Sequence, residues 1–161
     1  MIKGKQSIAF NASPYIEESA SVVGKKEGEG PLGSRFDMVG LDDMFGEDTW
    51  EKAESSMQKE ACQLALGKAH LTAGAIRYLF GGDLLRQGVA TSLGVEQLQI
   101  PMFGLYGACS TSGEALALAS MCVAAGYGER MLVVTSSQFR KCRKGNFVFR
   151  SVMRIRDRCL H

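Results

Sequence analysis

The residue with the most evident chemistry is Cys109, within the stretch FGLYGACSTSGEALALASMCVAAG at residues 103–126. Apolar residues up to Tyr106 predict a short strand, and the Ala-rich run after Thr111 predicts a long helix. A thiol at such a strand-to-helix corner meets unpaired N–H groups and the positive end of the helix dipole, which favour the thiolate. A small buried cysteine packed under the crossover is the alternative. The residues alone leave both interpretations open.

Polar side chains beside Cys109 suit the same corner. Ser110 and Thr111 are residue types that cap the first turn of a helix. Glu114 places a carboxylate in that turn, where the helix dipole stabilises it. The sequence therefore predicts Cys109 as a candidate nucleophile.

A second candidate corner follows the predicted strand Ala75–Phe80. Gly81 and Gly82 stop this strand, and Asp83 is predicted to cap a helix over residues 84–95. Open α/β sheets place ligands at the carboxyl ends of their strands. A tight strand-to-helix turn with no ligand explains the same residues equally well, so both interpretations stand.

The elements that must position these corners alternate between strand and helix. Apolar residues from Trp50 to Ala65 recur every three or four positions and predict a helix from Asp48 to His70, with His70 structural at its end. Strands are predicted at residues 5–10, from Pro101 and at 131–135, whereas residues 13–43 show no helical period. This alternation predicts an α/β fold with a mainly parallel sheet covered by helices.

Composition excludes several functional classes. No run of about 18 apolar residues predicts a membrane-spanning helix, and no secretory signal is evident at the N-terminus. The five cysteines are scattered without a C-x-x-C pair, which argues against disulfides and zinc. With His70 and His161 far apart, no metal is expected. Neither common Gly-rich phosphate-binding motif occurs.

Charge divides the chain unevenly. Residues 140–161 hold eight basic side chains against one acidic, a net of +7, whereas residues 1–139 hold eleven basic and sixteen acidic, a net of −5. A basic segment on an acidic body is typical of a nucleic-acid or membrane arm. It is equally consistent with a segment that does not belong to the body.

Six segments occur in order between Lys3 and Phe139: KGKQSIAF, VVGKKEGEGPLG, MFGEDTWEKAESSMQKEA, GGDLLRQ, IPMFGLYGACST and VVTSSQF. Together they resemble the stage V sporulation protein AD family of endospore formers, whose members are similar to thiolases in fold. The resemblance implies that residues 1–139 form the N-terminal half of a thiolase-like fold.

The same resemblance implies a function. Members of that family are associated with binding dipicolinic acid, pyridine-2,6-dicarboxylic acid, for uptake into the developing spore, and Cys109 matches the thiolase nucleophile. Helix N-termini donate N–H groups to carboxylates, so Cys109, Ser110, Gly82 and Asp83 are the expected ligand-binding residues. The implied partners are other proteins of the spore transport assembly and a second copy of the chain. No cofactor, nucleic acid or membrane insertion is expected, and the implied location is cytoplasmic, peripheral to the spore inner membrane.

Two departures from the family pattern bear on activity. Gln138 stands where the family has histidine, and the second half that supplies catalytic histidines in the family does not follow. Codons for Gly145 through Leu160, read one base earlier, permit QFRFPFGYANPRPLSA, which resembles the family's continuation. We therefore expect residues 140–161 to be out of frame and poorly ordered, and the chain to be a truncated, impaired form.

Three functions remain as hypotheses from the sequence. The first is dipicolinic acid binding by a non-catalytic, thiolase-like protein. The second is an acyltransferase in which the Cys109 thiolate attacks a thioester and backbone N–H groups stabilise the oxyanion. The third is a nucleic-acid module that uses residues 140–161.

Overall fold

The structure, a computed structural model, describes residues 2–84, 87–138 and 148–157. The strands are β1 (Ile2–Lys3), β2 (Ser7–Ile8), β3 (Pro14–Ala20), β4 (Val22–Val23), β5 (Met38–Val39), β6 (Tyr78–Gly82), β7 (Met102–Gly104), β8 (Arg130–Gln138) and β9 (Val148–Asp157). The helices are α1 (Lys25–Gly28), α2 (Trp50–Lys68), α3 (Val89–Val95) and α4 (Thr111–Ala124).

The main sheet has five strands in the order β3-β9-β8-β6-β7. Strands β7, β6 and β8 are parallel, with Leu79 opposite Met102 on one side and opposite Leu132 on the other. Strand β9 runs antiparallel to both β8 and β3. The predicted α/β fold with a mainly parallel arrangement of the central strands is confirmed.

Alternate residues of the central strands pack against helices on opposite faces of the sheet, as the two-residue period of a strand requires. Leu79, Leu132 and Val134 join one buried cluster with residues of α2 and α3. Phe80, Met131 and Val133 join a second cluster with α4, which contributes Ala115, Ala119 and Val123. The layers are therefore helix, sheet and helix.

Helix α2 begins two residues later than predicted. The Thr49 hydroxyl accepts a 3.3 Å hydrogen bond from the Lys52 amide, whereas Asp48 pairs with the Lys52 ammonium group at 2.8 Å. Thr49 therefore occupies the capping position, and Asp48, where the helix was predicted to begin, lies outside the helix. Ala53, Met57, Ala61 and Ala65 lie on the buried face, as their spacing predicted.

The N-terminal third contains more strand than its composition suggested. Val22–Val23 and Met38–Val39, the two apolar pairs of residues 13–43, form the parallel pair β4–β5. Strand β3 was not predicted, because Glu17 and Glu18 interrupt its apolar pattern. The predicted strand at residues 5–10 shortens to Ser7–Ile8, which pairs with β1 outside the main sheet.

Residues 148–157 form strand β9, which lies between β8 and β3, and the expected poor order of residues 140–161 stays a prediction. This stretch contains the β-branched and aromatic residues Val148, Phe149, Val152 and Ile155, which are residue types that strands favour. Residues 139–147 and 158–161 lie outside the described residues. That the 140–161 segment is out of frame stays a prediction.

Candidate functional site

The two predicted corners lie side by side at the carboxyl ends of neighbouring parallel strands. β6 includes Gly81 and Gly82, so the prediction that these glycines stop the strand is wrong. The strand ends before Asp83, and β7 leads towards Cys109. The Leu105 amide extends this pairing by donating a 2.8 Å hydrogen bond to the Gly81 carbonyl. The fold thus brings the predicted site residues together at the end of the sheet where the parallel strands β6 and β7 finish.

Gly82 is required by close packing between the corners. A Cβ atom at this position would lie 2.0 Å from the Leu105 carbonyl oxygen and 3.0 Å from Cγ2 of Thr111. No other residue type fits there without moving backbone. Gly82 therefore has a structural role in joining the corner after β6 to the loop that carries Cys109.

Cys109 is exposed in a tight turn, Ala108–Ser110, that leads directly into α4. Ala108 adopts the left-handed region at a φ of 50°, which is uncommon for a residue other than glycine. The Gly107 amide donates a 3.0 Å hydrogen bond to the Thr111 hydroxyl. The Gly107 carbonyl accepts hydrogen bonds from both the Ser110 amide, at 3.0 Å, and the Ser110 hydroxyl, at 2.6 Å. These bonds hold the turn, and the thiol is presented at the start of the helix.

Ser110 occupies the N-cap position of α4 but does not cap the helix. Its backbone is helical and its side chain accepts no N–H group of the first turn. The Ser110 hydroxyl also contacts a Glu114 carboxylate oxygen. The prediction that Ser110 and Thr111 cap this turn is wrong, because both hydroxyls bond to Gly107 and Ser110 also bonds to Glu114.

Asp83 is completely buried at the other corner. Its carboxylate accepts hydrogen bonds from the Gly88 amide at 3.2 Å, the Thr91 amide at 2.9 Å and the Thr91 hydroxyl at 2.8 Å. The prediction that Asp83 is the capping residue of this helix is wrong, because Gly88 occupies the N-cap position and Asp83 accepts the Thr91 amide of the first turn from farther back in the chain. The helix begins at Val89, after Gly88 in the left-handed region, and the predicted start at residue 84 is wrong.

A cavity of about 380 Å³ opens beside these corners at the β6–β7 edge. Its lining includes Gly81, Gly88, Leu93, Met102 and Tyr106. Cys109 and Asp83 are not lining residues. The cavity beside the two corners is therefore mainly apolar, and no charged side chain of the described residues lines it.

The three described cysteines differ in their surroundings. Cys62 is fully buried, and desolvation raises the pKa of its thiol to about 12. Partial burial raises the pKa of Cys122 as well. Cys109 is exposed. Among the described residues, Cys109 is the thiol most open to reagents and ligands.

The part of the chain that the structure describes contains no group of three or more His, Cys, Asp or Glu side chains able to hold a metal ion. Nor does it contain a helix long and apolar enough to cross a membrane. Gln138 ends β8, and His70 lies just beyond α2 with a left-handed φ of 54°. Cys142, Cys159 and His161 lie outside the described residues.

The sequence model of the family described as "Stage V sporulation protein AD (SpoVAD)" matches residues 4–151. The chain belongs to this family. The family match continues twelve residues beyond the boundary predicted at residue 139. A curated SpoVAD relative, "Stage V sporulation protein AD" of Bacillus subtilis (strain 168), is 39% identical over 137 residues, which are 84% of this chain and 40% of the relative. The chain therefore spans less than half the length of that relative.

Solved structures show the same fold at low identity. The 3-oxoacyl-[acyl-carrier-protein] synthase III of Aquifex aeolicus VF5 is 15% identical with a TM-score of 0.63, over 91% of this chain and 55% of that one. The priming β-ketosynthase of the R1128 polyketide pathway is 15% identical with a TM-score of 0.61, over 98% and 54%. MvaS, solved with 3-hydroxy-3-methylglutaryl coenzyme A, is 16% identical with a TM-score of 0.65, over 91% and 40%. These likenesses confirm a thiolase-like fold.

Proposed function

We propose that this SpoVAD-family chain binds dipicolinic acid at the Cys109 corner, as part of the uptake of that dianion into the developing spore. The observation that carries the proposal is the exposed Cys109 turn at the start of α4, in a helix whose N-terminus has no side-chain cap. Uncapped N–H groups and the helix dipole favour a carboxylate there. Family membership supplies the context of sporulation.

Within this proposal the four predicted residues have different roles. Cys109 and Ser110 are exposed and form the contact surface for a carboxylate. Gly82 permits the close approach of the two corners. Asp83 acts from a buried position by holding the turn that leads into α3. Direct contact between Asp83 and a ligand would require its carboxylate to break the hydrogen bonds from Gly88 and Thr91.

Acyl transfer is the second candidate, favoured by an exposed cysteine at a strand-to-helix corner in a thiolase-like fold. A general base contributes about 10²–10⁴ to such a reaction. No histidine lies within the Cys109 turn or the first turn of α4. Binding without turnover is therefore the better-supported function.

Binding by the 161-residue chain alone is expected to be weak. Leu118 and Met121 on α4 are more than a third exposed, although the helix is rich in apolar residues. A helix of that composition usually packs against protein on both sides. We propose that further sequence, as found in longer family members, covers this face and closes the ligand site.

A second copy of the chain is the proposed partner at the β7 edge of the sheet. Phe103 on β7 is about half exposed and stacks on Phe80 with ring centroids 5.0 Å apart. Tyr106, just beyond the strand, is also exposed. An apolar edge strand is a surface that pairs readily with another chain. Other spore transport proteins and a location peripheral to the spore inner membrane are proposed from family membership alone.

Isothermal titration calorimetry with dipicolinate tests the proposal on two proteins. The first is this chain, and the second is a frame-restored version that continues past residue 139. We expect saturable binding only for the longer protein, lost on Ser110→Pro and retained in Cys109→Ser. Absence of heat from the folded longer protein would contradict dipicolinate binding. Thioester turnover that disappears in Cys109→Ser would instead favour acyl transfer.

A further inference from the structure

A chain of buried, hydrogen-bonded polar side chains connects helix α2 with the Asp83 corner on one side and with the carboxyl end of β8 on the other. Its members, each less than a tenth exposed, are Glu54 and Gln58 on α2, Thr91 on α3, Ser136 on β8 and Asp83 after β6. Buried polar groups are costly unless they are hydrogen-bonded. Five of them in contact therefore need a structural or functional reason.

Gln58 is the centre of this chain. Its Nε2 atom donates to the Thr91 hydroxyl at 3.1 Å and to the Ser136 hydroxyl at 2.5 Å. The Thr91 hydroxyl donates to the Asp83 carboxylate at 2.8 Å. The Ser136 hydroxyl donates to the Glu54 carboxylate at 2.5 Å. One carboxamide thus connects two hydroxyls, and each hydroxyl connects to one carboxylate.

The direction of every hydrogen in this arrangement follows from the residue types. A carboxamide nitrogen donates two hydrogens and accepts none, and here the carboxylate oxygens of Asp83 and Glu54 accept. Each hydroxyl must therefore accept from Gln58 and donate to its carboxylate. A side chain of similar size without two donors at position 58 would remove the hydrogen bond that each hydroxyl accepts and leave those buried oxygens one partner short.

The arrangement fixes the corner that holds Asp83. The Asp83 oxygen that accepts from the Thr91 hydroxyl also accepts from the Thr91 amide, within the first turn of α3. The other Asp83 oxygen accepts from the Gly88 amide. The Gln58–Thr91 bond therefore ties the turn between β6 and α3 to helix α2, which lies on one face of the sheet.

We propose that Gln58 is a positioning residue for the candidate site, acting on Asp83 through Thr91. It holds the Asp83 carboxylate against the first turn of α3, and Ser136 aligns the end of β8 with the same helix. The consequence for ligand affinity rests on the proposed dipicolinate function. The positioning itself does not.

The test compares Gln58→Met, which removes both donors at similar volume, with Met57→Leu, a substitution at the neighbouring fully buried position. A second pair is Thr91→Val, which removes the hydroxyl, and Thr91→Ser, which keeps it. Hydrogen exchange is measured at the Gly88 and Thr91 amides and compared with amides in the middle of α2. Dipicolinate affinity is measured on the frame-restored protein.

We expect Gln58→Met and Thr91→Val to accelerate exchange at Gly88 and Thr91 by tenfold or more relative to α2. Met57→Leu and Thr91→Ser should stay within threefold of the original chain. Uniform acceleration along the chain, or none at these two amides, would overturn the proposal. If Gln58→Met does not fold, the Thr91 pair alone decides it by the same criterion.

Affinity separates this inference from the proposed function. By selective exchange we mean exchange accelerated at the Gly88 and Thr91 amides but not in α2. Selective exchange, when none of the proteins binds dipicolinate, would support the positioning role and contradict the proposed ligand. Selective exchange with a fivefold or greater loss of affinity in Gln58→Met would support both. Selective exchange with unchanged affinity would overturn the link between Gln58 and binding.

Discussion

The Gly107 amide donates a 3.0 Å hydrogen bond to the Thr111 hydroxyl, and this bond spans the turn that carries Cys109. Thr111 is buried, and its methyl group also lies against Gly82 at the neighbouring corner. One side chain therefore contacts both halves of the candidate site, through its hydroxyl on one side and its methyl group on the other.

Thr111→Val and Thr111→Ser separate these two contacts. Valine keeps the packing volume but leaves the Gly107 amide without its acceptor, a loss of about 1–3 kcal/mol when the group is buried. The turn can then relax from the left-handed conformation at Ala108, and Cys109 leaves its place at the helix N-terminus. We expect slower alkylation of Cys109 by iodoacetamide in Thr111→Val and an unchanged rate in Thr111→Ser. Equal rates in both variants would contradict this role.

Alkylation mapped by mass spectrometry should rank the described cysteines as Cys109, then Cys122, then Cys62. The thiolate is the reactive form, and a pKa of about 12 leaves Cys62 with a thiolate fraction on the order of 10⁻⁴ at pH 8. Alkylation of Cys62 should accelerate only at strongly alkaline pH, where its thiolate forms. It should stay slow even there, because burial keeps the reagent from the thiol. Equal labelling of folded protein at all three positions would show that the Cys109 turn offers no advantage.

Gly82→Ala should destabilise the chain by about 1–3 kcal/mol or more, the range typical of overpacking. Its Cβ would lie 2.0 Å from a backbone carbonyl oxygen that cannot rotate away. Gly113→Ala is the matched control, because Gly113 lies within α4 with nothing within 4 Å of its added Cβ. That variant should gain about 0.4–1 kcal/mol. Urea denaturation of both variants measures the difference, and a stable Gly82→Ala would rule out the close approach.

Local sequence patterns predicted strands β6, β7 and β8 and the two corners because those signals are local, whereas β3 and β9 were not predicted. The apolar run before Cys109 and the Gly81-Gly82-Asp83 corner each depend on a few adjacent residues. The α3 start at Val89 was not predictable in this way, since the Asp83 carboxylate accepts the Thr91 amide from eight positions away. Nor was Gln58 identified, because glutamine at position 58 fits an exposed helix face until the Thr91 and Ser136 hydroxyls are seen beside it. Contacts between residues 33 and 78 positions apart leave no periodic trace in a sequence.

Lys68→Met should reduce stability near neutral pH by about 0–1 kcal/mol, since the ion pairs of Lys68 with Asp37 and Glu18 are partly exposed and screened by solvent. The Lys68 ammonium group lies 3.0 Å from Asp37 and 3.3 Å from Glu18. Its hydrogen bond to Asp37 raises the pKa of Lys68 despite some desolvation. Burial acts to raise the pKa of Asp37, but hydrogen bonds from Lys68 and Ser21 lower it overall.

The sign of the pH dependence follows from these directions. A raised lysine pKa contributes stability below the unfolded value near 10.4 and loses it as pH rises through the folded value. A lowered aspartate pKa contributes stability above about 3.9 and loses it as pH falls through the folded value. The difference between the original chain and Lys68→Met should therefore be largest from about pH 5 to 9. Lys52→Met, at the more exposed pair with Asp48, serves as control and should show almost no difference.

Glu114→Gln tests whether a dianion uses the N-terminus of α4. The Glu114 carboxylate lies in the first turn and contacts the Ser110 hydroxyl, so it competes with any bound carboxylate for the same positive helix end. Removing its charge should strengthen dipicolinate binding by roughly threefold to tenfold, the equivalent of about 1 kcal/mol. The frame-restored protein is titrated by calorimetry at low salt and again at high salt, where the gain should shrink because exposed charges are screened. Glu96→Gln, in the turn after α3, is the control for the loss of one negative charge elsewhere and should leave the affinity unchanged. An affinity unaffected by Glu114→Gln, or raised equally by Glu96→Gln, would place the dianion away from the Cys109 turn.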